Sequence, residues 1–165
     1  MIKAISFIFK KPSLSQDQFI EHYENFHAPL ARSILEFSHY ERNHILDVYD
    51  DNPSCISIFK YSSEELLKKT QKILQDYPKD LKEDELKFMD FDKNYYHFVD
   101  EEILSIEKFK YKVFSKIEIH NDQLHGLSIN KLIDQDKIIF EYGSENDLST
   151  QFNTKTVYFC RNYSS

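Results

Sequence analysis

The chain has 165 residues, the length of one domain, and can bury roughly two thirds of the surface its unfolded form exposes. Hydrophobic residues make up 41% and aromatic residues 15%, with Phe and Tyr supplying every ring, a composition that argues against disorder as the global state. The net charge of −7 is spread along the chain with no basic block to follow a phosphate backbone, and the only glycines, Gly126 and Gly143, exclude a glycine-rich nucleotide-binding loop.

Ile2 to Lys10 carries apolar residues on both alternating faces, Ile2, Ala4 and Ile8 on one and Ile5, Phe7 and Phe9 on the other. It reads as a strand covered on both sides. After Lys11, Pro12 and Ser13, Ser15 with Gln18 forms a capping box and Leu14 with Phe19 a hydrophobic staple, so a first helix starts at about Ser15. Its inward stripe is Phe19, Tyr23, Phe26 and Leu30. Pro29 removes a backbone donor and clashes with the carbonyl of Asn25, which predicts a kink or an end near His27 and Ala28.

Ser38 to Leu46 and Ser54 to Tyr61 read as a β-hairpin joined by the polar stretch Asp47 to Pro53. Ser62 with Glu65 repeats the capping box and opens a second helix that stops before Pro78. A short helix around Asp80 to Phe88 follows. The strand signal returns from Val99 through Ile103 to Ile106, again over Lys112 to Ile119, and then at Lys137 to Tyr142 and Lys155 to Asn162.

The fold class is therefore α+β. The first 106 residues run β-α-β-β-α-β, a ferredoxin-like order that gives an antiparallel sheet with both helices on one face. Residues 107–165 form a β-rich extension packed on the same domain. The bare sheet face needs a cover, and a second copy of the sheet, giving a homodimer, is the simplest one. The extension is the alternative cover, and one reading of it is a decayed second copy of the same unit, although the sequence shows no strong repeat.

No apolar run is long enough for a signal-peptide core or a membrane span, so a cytoplasmic protein with no membrane partner is expected. Cys55 and Cys160 lie in apolar strand-like stretches and read as buried reduced thiols, though a pairing between them stays open.

The sequence Phe19-Ile20-Glu21-His22-Tyr23, then Phe26-His27-Ala28-Pro29-Leu30, then Tyr40 and Asn43 on the next strand, resembles the EthD family. Leu86 to Phe88 and Val99 to Glu102 resemble its last loop and fourth strand, so the likeness covers about the first 105 residues. The resemblance implies a ferredoxin-like unit that dimerises into an α/β barrel around a cavity. It also implies relatives that are tied to ether degradation, or that dehydrate, cyclise or decarboxylate aromatic polyketides without a cofactor.

His27 lies about 40° around the helix from Tyr23, inside the apolar stripe. An interior imidazole can act as general acid and base, and the alternative is a helix-end histidine that binds a freed carbonyl. Tyr40, Arg42 and His44 alternate onto one face of the second strand, as cavity wall or as an edge meeting water. The candidate catalytic residues are His27 and Tyr40; Tyr23, Phe26, Arg42 and His44 are candidates to hold substrate. Asn43 faces the other way and reads as structural, and Asp100, Glu101 and Glu102 read as a solvated turn. His22 with His27, and His39 with His44, diverge by about 140° on a helix or fall on opposite faces of a strand, so no metal is expected. No serine-hydrolase elbow is present, and Cys55 has no neighbouring base in sequence.

The expected function is cofactor-independent acid/base chemistry, of lyase or isomerase type, on a small hydrophobic or aromatic substrate in an inter-sheet cavity. The alternatives are a non-catalytic ligand-binding or structural dimer whose cavity is filled by its own rings, and a haem-binding barrel.

Overall fold

A computed structural model describes residues 1–46, 51–148 and 157–164. Strand β1 (Ile2–Ile8) leads through Ser15 into helix α1 (Gln16–His22), and the Ser15–Gln18 capping box forms with both of its reciprocal hydrogen bonds. The helix does not end at His27. It passes through one π-helical turn, Tyr23–His27, closed by the Ala28 N–H donating to the Tyr23 carbonyl, and continues as α2 (Ala28–Ile34). The wider turn absorbs one residue and brings Pro29 into the first turn of α2, where a missing N–H is tolerated.

The hairpin strands are β2 (His39–Ile45) and β3 (Cys55–Tyr61); the Asp47–Asp50 part of their expected turn lies outside the described residues. Helix α3 (Glu64–Gln75) is capped by Ser63, not Ser62, whose hydroxyl accepts from the Leu66 N–H. Helix α4 (Lys79–Phe88) precedes β4 (Tyr95–Ile103), which starts earlier and ends sooner than its apolar run suggested, because the Leu104 and Ser105 N–H groups both turn to the Leu127 carbonyl. Asp100 to Glu102 are therefore strand residues and not a turn.

The second half supplies β5 (Tyr111–Ser115), β6 (His125–Leu132), β7 (Ile138–Ser144) and β8 (Val157–Ser164). Strand β5 stops four residues short of its apolar run; residues 155 and 156 of the last expected strand lie outside the described ones.

All eight strands form one closed antiparallel barrel in the order β1-β3-β2-β8-β5-β7-β6-β4, with β4 returning to β1. The sheet face expected to meet a second copy is thus the inner wall of a barrel that one chain closes by itself. Strand β8 pairs with β2 and β6 with β4, so both edges of the first four strands are taken by the extension.

Each half has the same internal order, β4-β1-β3-β2 and β8-β5-β7-β6, and the registers match except at a bulge between Gly126 and Ser128 of β6. Ile5 opposes Ile58 as Phe114 opposes Glu141, and Asn43 opposes Ile56 as Asn130 opposes Ile139. Lys3 and Lys112 occupy equivalent inward positions. Asn43 donates to Glu41 and to the Ile56 carbonyl; Asn130 donates to Ser128 and to the Ile139 carbonyl. The halves are related by a pseudo-twofold along the barrel axis, and the described part of the second carries no helix.

Alternation along the strands sorts side chains inward or outward. Ile5, Phe7, Ile45, Ile56, Ile58, Val99, Phe114, Leu132, Ile139, Tyr158 and Cys160 fill the barrel's middle. Outside it, Phe19, Tyr23, Ala28, Ala31, Leu81 and Phe88 of the helices pack on Tyr40 and Cys55. Among the described residues no helix is long and apolar enough to cross a membrane. Cys55 and Cys160 are both buried and unbridged, on opposite faces of the barrel wall.

Candidate functional site

Three regions hold the chemistry: the helix layer and the two ends of the barrel. In the helix layer the π-helical turn changes the angular spacing, so His22 and His27 do not diverge. Both ring systems reach one carboxylate, His22 Nε2 at 2.8 Å from Asp84 Oδ1 and His27 Nδ1 at 3.1 Å from Asp84 Oδ2. Burial pushes His27 down to about 4 against the pull of Asp84, so it is neutral at pH 7 and donates its N–H to Asp84. Its ring is buried, edge-on to Tyr23 and against Phe88.

Tyr40, Arg42 and His44 do share a face, but it is the helix face and not the inter-sheet one. The Tyr40 hydroxyl donates to Tyr23 at 2.9 Å, and Tyr23 shares a hydrogen bond of 2.9 Å with Ser57. Burial, above all, raises both phenols and keeps them neutral. Arg42 and His44 converge on Glu24, Arg42 Nη2 at 2.8 Å and His44 Nε2 at 2.6 Å. Burial opposes protonation of His44, but Cys55, its cross-strand partner, and the Glu24 carboxylate outweigh it and raise the imidazole to about 9. Tyr23, His27, Tyr40, Arg42 and His44 are therefore brought together as one closed polar layer. Phe26 is left out of it, 62% exposed and stacked on His22.

At the narrow end, inward lysines and glutamates form a continuous network. Lys3 Nζ lies 2.6 Å from Glu101 and 3.0 Å from Glu141, Lys112 Nζ 2.6 Å from both Glu41 and Glu141, and Lys60 Nζ 2.8 Å from Glu101. Three ammonium and three carboxylate groups balance. Burial opposes ionisation of Glu141, but Lys3 and Lys112 outweigh it and hold the carboxyl well below the ordinary range. Two bridges cross between the halves, Lys3 to Glu141 and Lys112 to Glu41. A cavity of about 220 Å³ opens above this network, and the Phe109 ring lies against Gly143 beside it.

The pseudo-twofold explains an orphan here. Asn43 Oδ1 accepts from Asn162 at 2.8 Å, but the residue opposite Asn130 is Glu101, a carboxylate with no proton to give. The buried Asn130 Oδ1 makes no hydrogen bond.

The wide end is different. A cavity of about 740 Å³ is lined by Phe7, Tyr95, Leu132 and Ile139, with His97 in the wall and Lys116, Gln135, Asp136 and Lys137 at the rim. Phe7 stacks on Tyr95 at 4.7 Å with 18° between planes, and His97 stands edge-on to both. The buried Nδ1 of His97 lies 3.4 Å from Asp134 Oδ1 without hydrogen-bond alignment.

Sequence reasoning missed Asp84, Glu24 and His97, which only tertiary structure brings to their partners. Lys3 and Glu41 did leave a signal: each shares a strand face with a buried residue two positions on, Ile5 and Asn43, where an unpaired charge is not tolerated. Among the described residues no group of three His, Cys, Asp or Glu is arranged to hold a metal ion.

These features define an α+β barrel protein with an inward-facing apolar mouth. Residues 11–92 match the family model of the EthD domain. The chain belongs to the EthD family through that segment, which spans α1 to α4 with β2 and β3. No curated protein matches the chain.

Proposed function

We propose that this chain is a single-chain EthD-type barrel that takes up one small hydrophobic or aromatic molecule at the wide end. Its first half reads as a ferredoxin-like β-α-β-β-α-β unit and its second as the same strand order without helices. One chain then stands where two copies of a dimeric barrel would, and no second copy is needed to cover the sheet. The observation that carries the reading is the cavity of about 740 Å³ at the apolar end, a volume ordinary for a small-molecule site. The packed middle of the barrel supports a site confined to the mouth, not a through-going channel.

The test is fluorescence titration with the neutral probe N-phenyl-1-naphthylamine. Saturable binding near one per chain is expected, lost in Ile138→Trp, which crowds the wide mouth, and kept in Ile106→Trp at the opposite mouth. Binding that neither substitution alters would overturn the reading.

A second reading places acid/base chemistry at His27 and Tyr40, and the hydrogen-bonded run Tyr40–Tyr23–Ser57 beside His27 favours it. It requires the helix layer to open. Under it, Tyr40→Phe alters ligand affinity; under the leading reading it does not.

A further inference from the structure

We propose that the wide end of the barrel binds a single-chain amphiphile of the medium-chain carboxylate class, its aliphatic tail in the cavity and its carboxylate held between Lys116 and Lys137. This rests on the reading that the wide cavity takes a small apolar molecule, and deepens it by naming the ligand's class and the groups that select it.

Polarity in the wide end is sorted by depth. The inner wall is Phe7, Leu132 and Ile139, which also belong to the packed middle of the barrel, and the Tyr95 ring stacked on Phe7 continues it outward. The charged groups that line the cavity stand at its rim. Lys116 follows Ser115, whose rung with Phe140 is the last of the β5–β7 ladder, and Lys137 immediately precedes Ile138, where β7 begins. A ligand with polar groups all round its edge would press several of them against hydrocarbon without a partner. A chain that is polar at one end only does not.

The charges point to the sign of that end. At the narrow end Lys3, Lys60 and Lys112 each meet a carboxylate at 2.6–2.8 Å, and three ammonium groups balance three carboxylates. Lys116 continues the inward row of Lys112 along β5, yet among the described residues neither Lys116 nor Lys137 makes an ion pair. Asp136 is the one acid that lines the wide cavity, and Asp134, outside the lining, lies beside His97. Two ammonium groups therefore share a single acid at the mouth, and a ligand carboxylate supplies the missing countercharge. The two lysines come from the ends of neighbouring strands, and their flexible stems let both ammonium groups follow one head group as the tail seats.

The experiment displaces N-phenyl-1-naphthylamine from the full chain with octanoate, decanoate, decan-1-ol and decyltrimethylammonium. Decanoate should bind about tenfold more tightly than octanoate, because two further methylenes leave water. It should also bind about tenfold more tightly than decyltrimethylammonium, whose head the lysines repel, and added salt should weaken decanoate while sparing decan-1-ol. The double variant Lys116→Gln/Lys137→Gln should weaken decanoate about tenfold and decan-1-ol less than about twofold. Lys68→Gln/Lys69→Gln removes the same charge from α3, outside the cavity, and should change neither. Equal binding of decanoate and decyltrimethylammonium, or a loss of decanoate in the Lys116/Lys137 variant no larger than that of decan-1-ol, overturns the anionic head. Equal affinities for octanoate and decanoate overturn the buried chain. Each of these results leaves the wide end standing as a site for small apolar molecules, whereas failure of N-phenyl-1-naphthylamine to bind overturns both.

Discussion

Removing the Glu141 carboxylate should unlock the two halves of the barrel. Glu141 accepts from Lys3 at 3.0 Å, Ser128 at 2.9 Å and Lys112 at 2.6 Å, and among the described residues it is the one carboxylate shared by Lys3 and Lys112. In Glu141→Ala, Lys3 keeps Glu101 and Lys112 keeps Glu41, but the two buried ammonium groups of Lys3 and Lys112 and the half-buried one of Lys60 then face two carboxylates. Stranding a buried charge in this way costs about 3–5 kcal/mol. Glu141→Gln, which keeps one acceptor and the shape, should cost about 2 kcal/mol. The exposed pair Lys68–Glu64 is the control, and Glu64→Ala should cost below about 1 kcal/mol. With a urea slope of about 2 kcal/mol/M, Glu141→Ala moves the unfolding midpoint down by about 2 M. A midpoint shift for Glu141→Ala no larger than that of Glu64→Ala would refute the idea that these ions hold the barrel closed.

Four further outcomes follow from the helix layer and the strand contacts. His27, lowered from 6.5 to about 4, contributes stability that is full above pH 6.5 and lost as pH falls toward 4, about 3 kcal/mol in all. His44, raised to about 9, contributes stability that is full below pH 6.5 and lost as pH rises through 9. Urea midpoints should therefore peak near pH 6.5, with His27→Gln flattening the acid limb and His44→Gln the alkaline one; a profile that is flat from pH 4 to 9 contradicts both. Gly143→Ala drives a methyl into the Phe109 ring and should cost about 1–3 kcal/mol by thermal unfolding. Tyr40→Phe removes the donor to Tyr23 and should cost about 1 kcal/mol by urea unfolding, since Tyr23 keeps Ser57. Ser15→Ala removes the hydroxyl that accepts from the Gln18 N–H, keeps the backbone N–H that donates to the Gln18 side chain, and should cost about 1 kcal/mol.

The first half was legible because its signals are local. The Ser15 cap, the two-sided apolar run of β1 and the alternation of β2 and β3 each depend on neighbours within a few residues. The end of the first helix was not, because Pro29 reads as a stop unless a π-helical turn precedes it, and nothing in Tyr23 to His27 announces one. Strand β6 escaped notice because its inward residues Ser128 and Asn130 are polar, which hides the period-two pattern; Glu141 and Lys3 bond the Ser128 hydroxyl and the Ile139 carbonyl accepts from the Asn130 amide nitrogen, which leaves Asn130 Oδ1 as the one orphan of the two side chains. The row Tyr40, Arg42 and His44 was read correctly as one face but without knowledge of which layer that face meets. His97 carried no signal at all, since its meaning comes from β6 and β7 closing against β4.

The account turns on which layer holds the ligand. Proton–carbon NMR of ring-labelled histidines, recorded while N-phenyl-1-naphthylamine is added, reads this directly. Large shifts at His97 with His22, His27 and His44 unmoved are expected; shifts at His27 and His44 with His97 silent would place the ligand under the helices and contradict a binding site at the barrel's wide end.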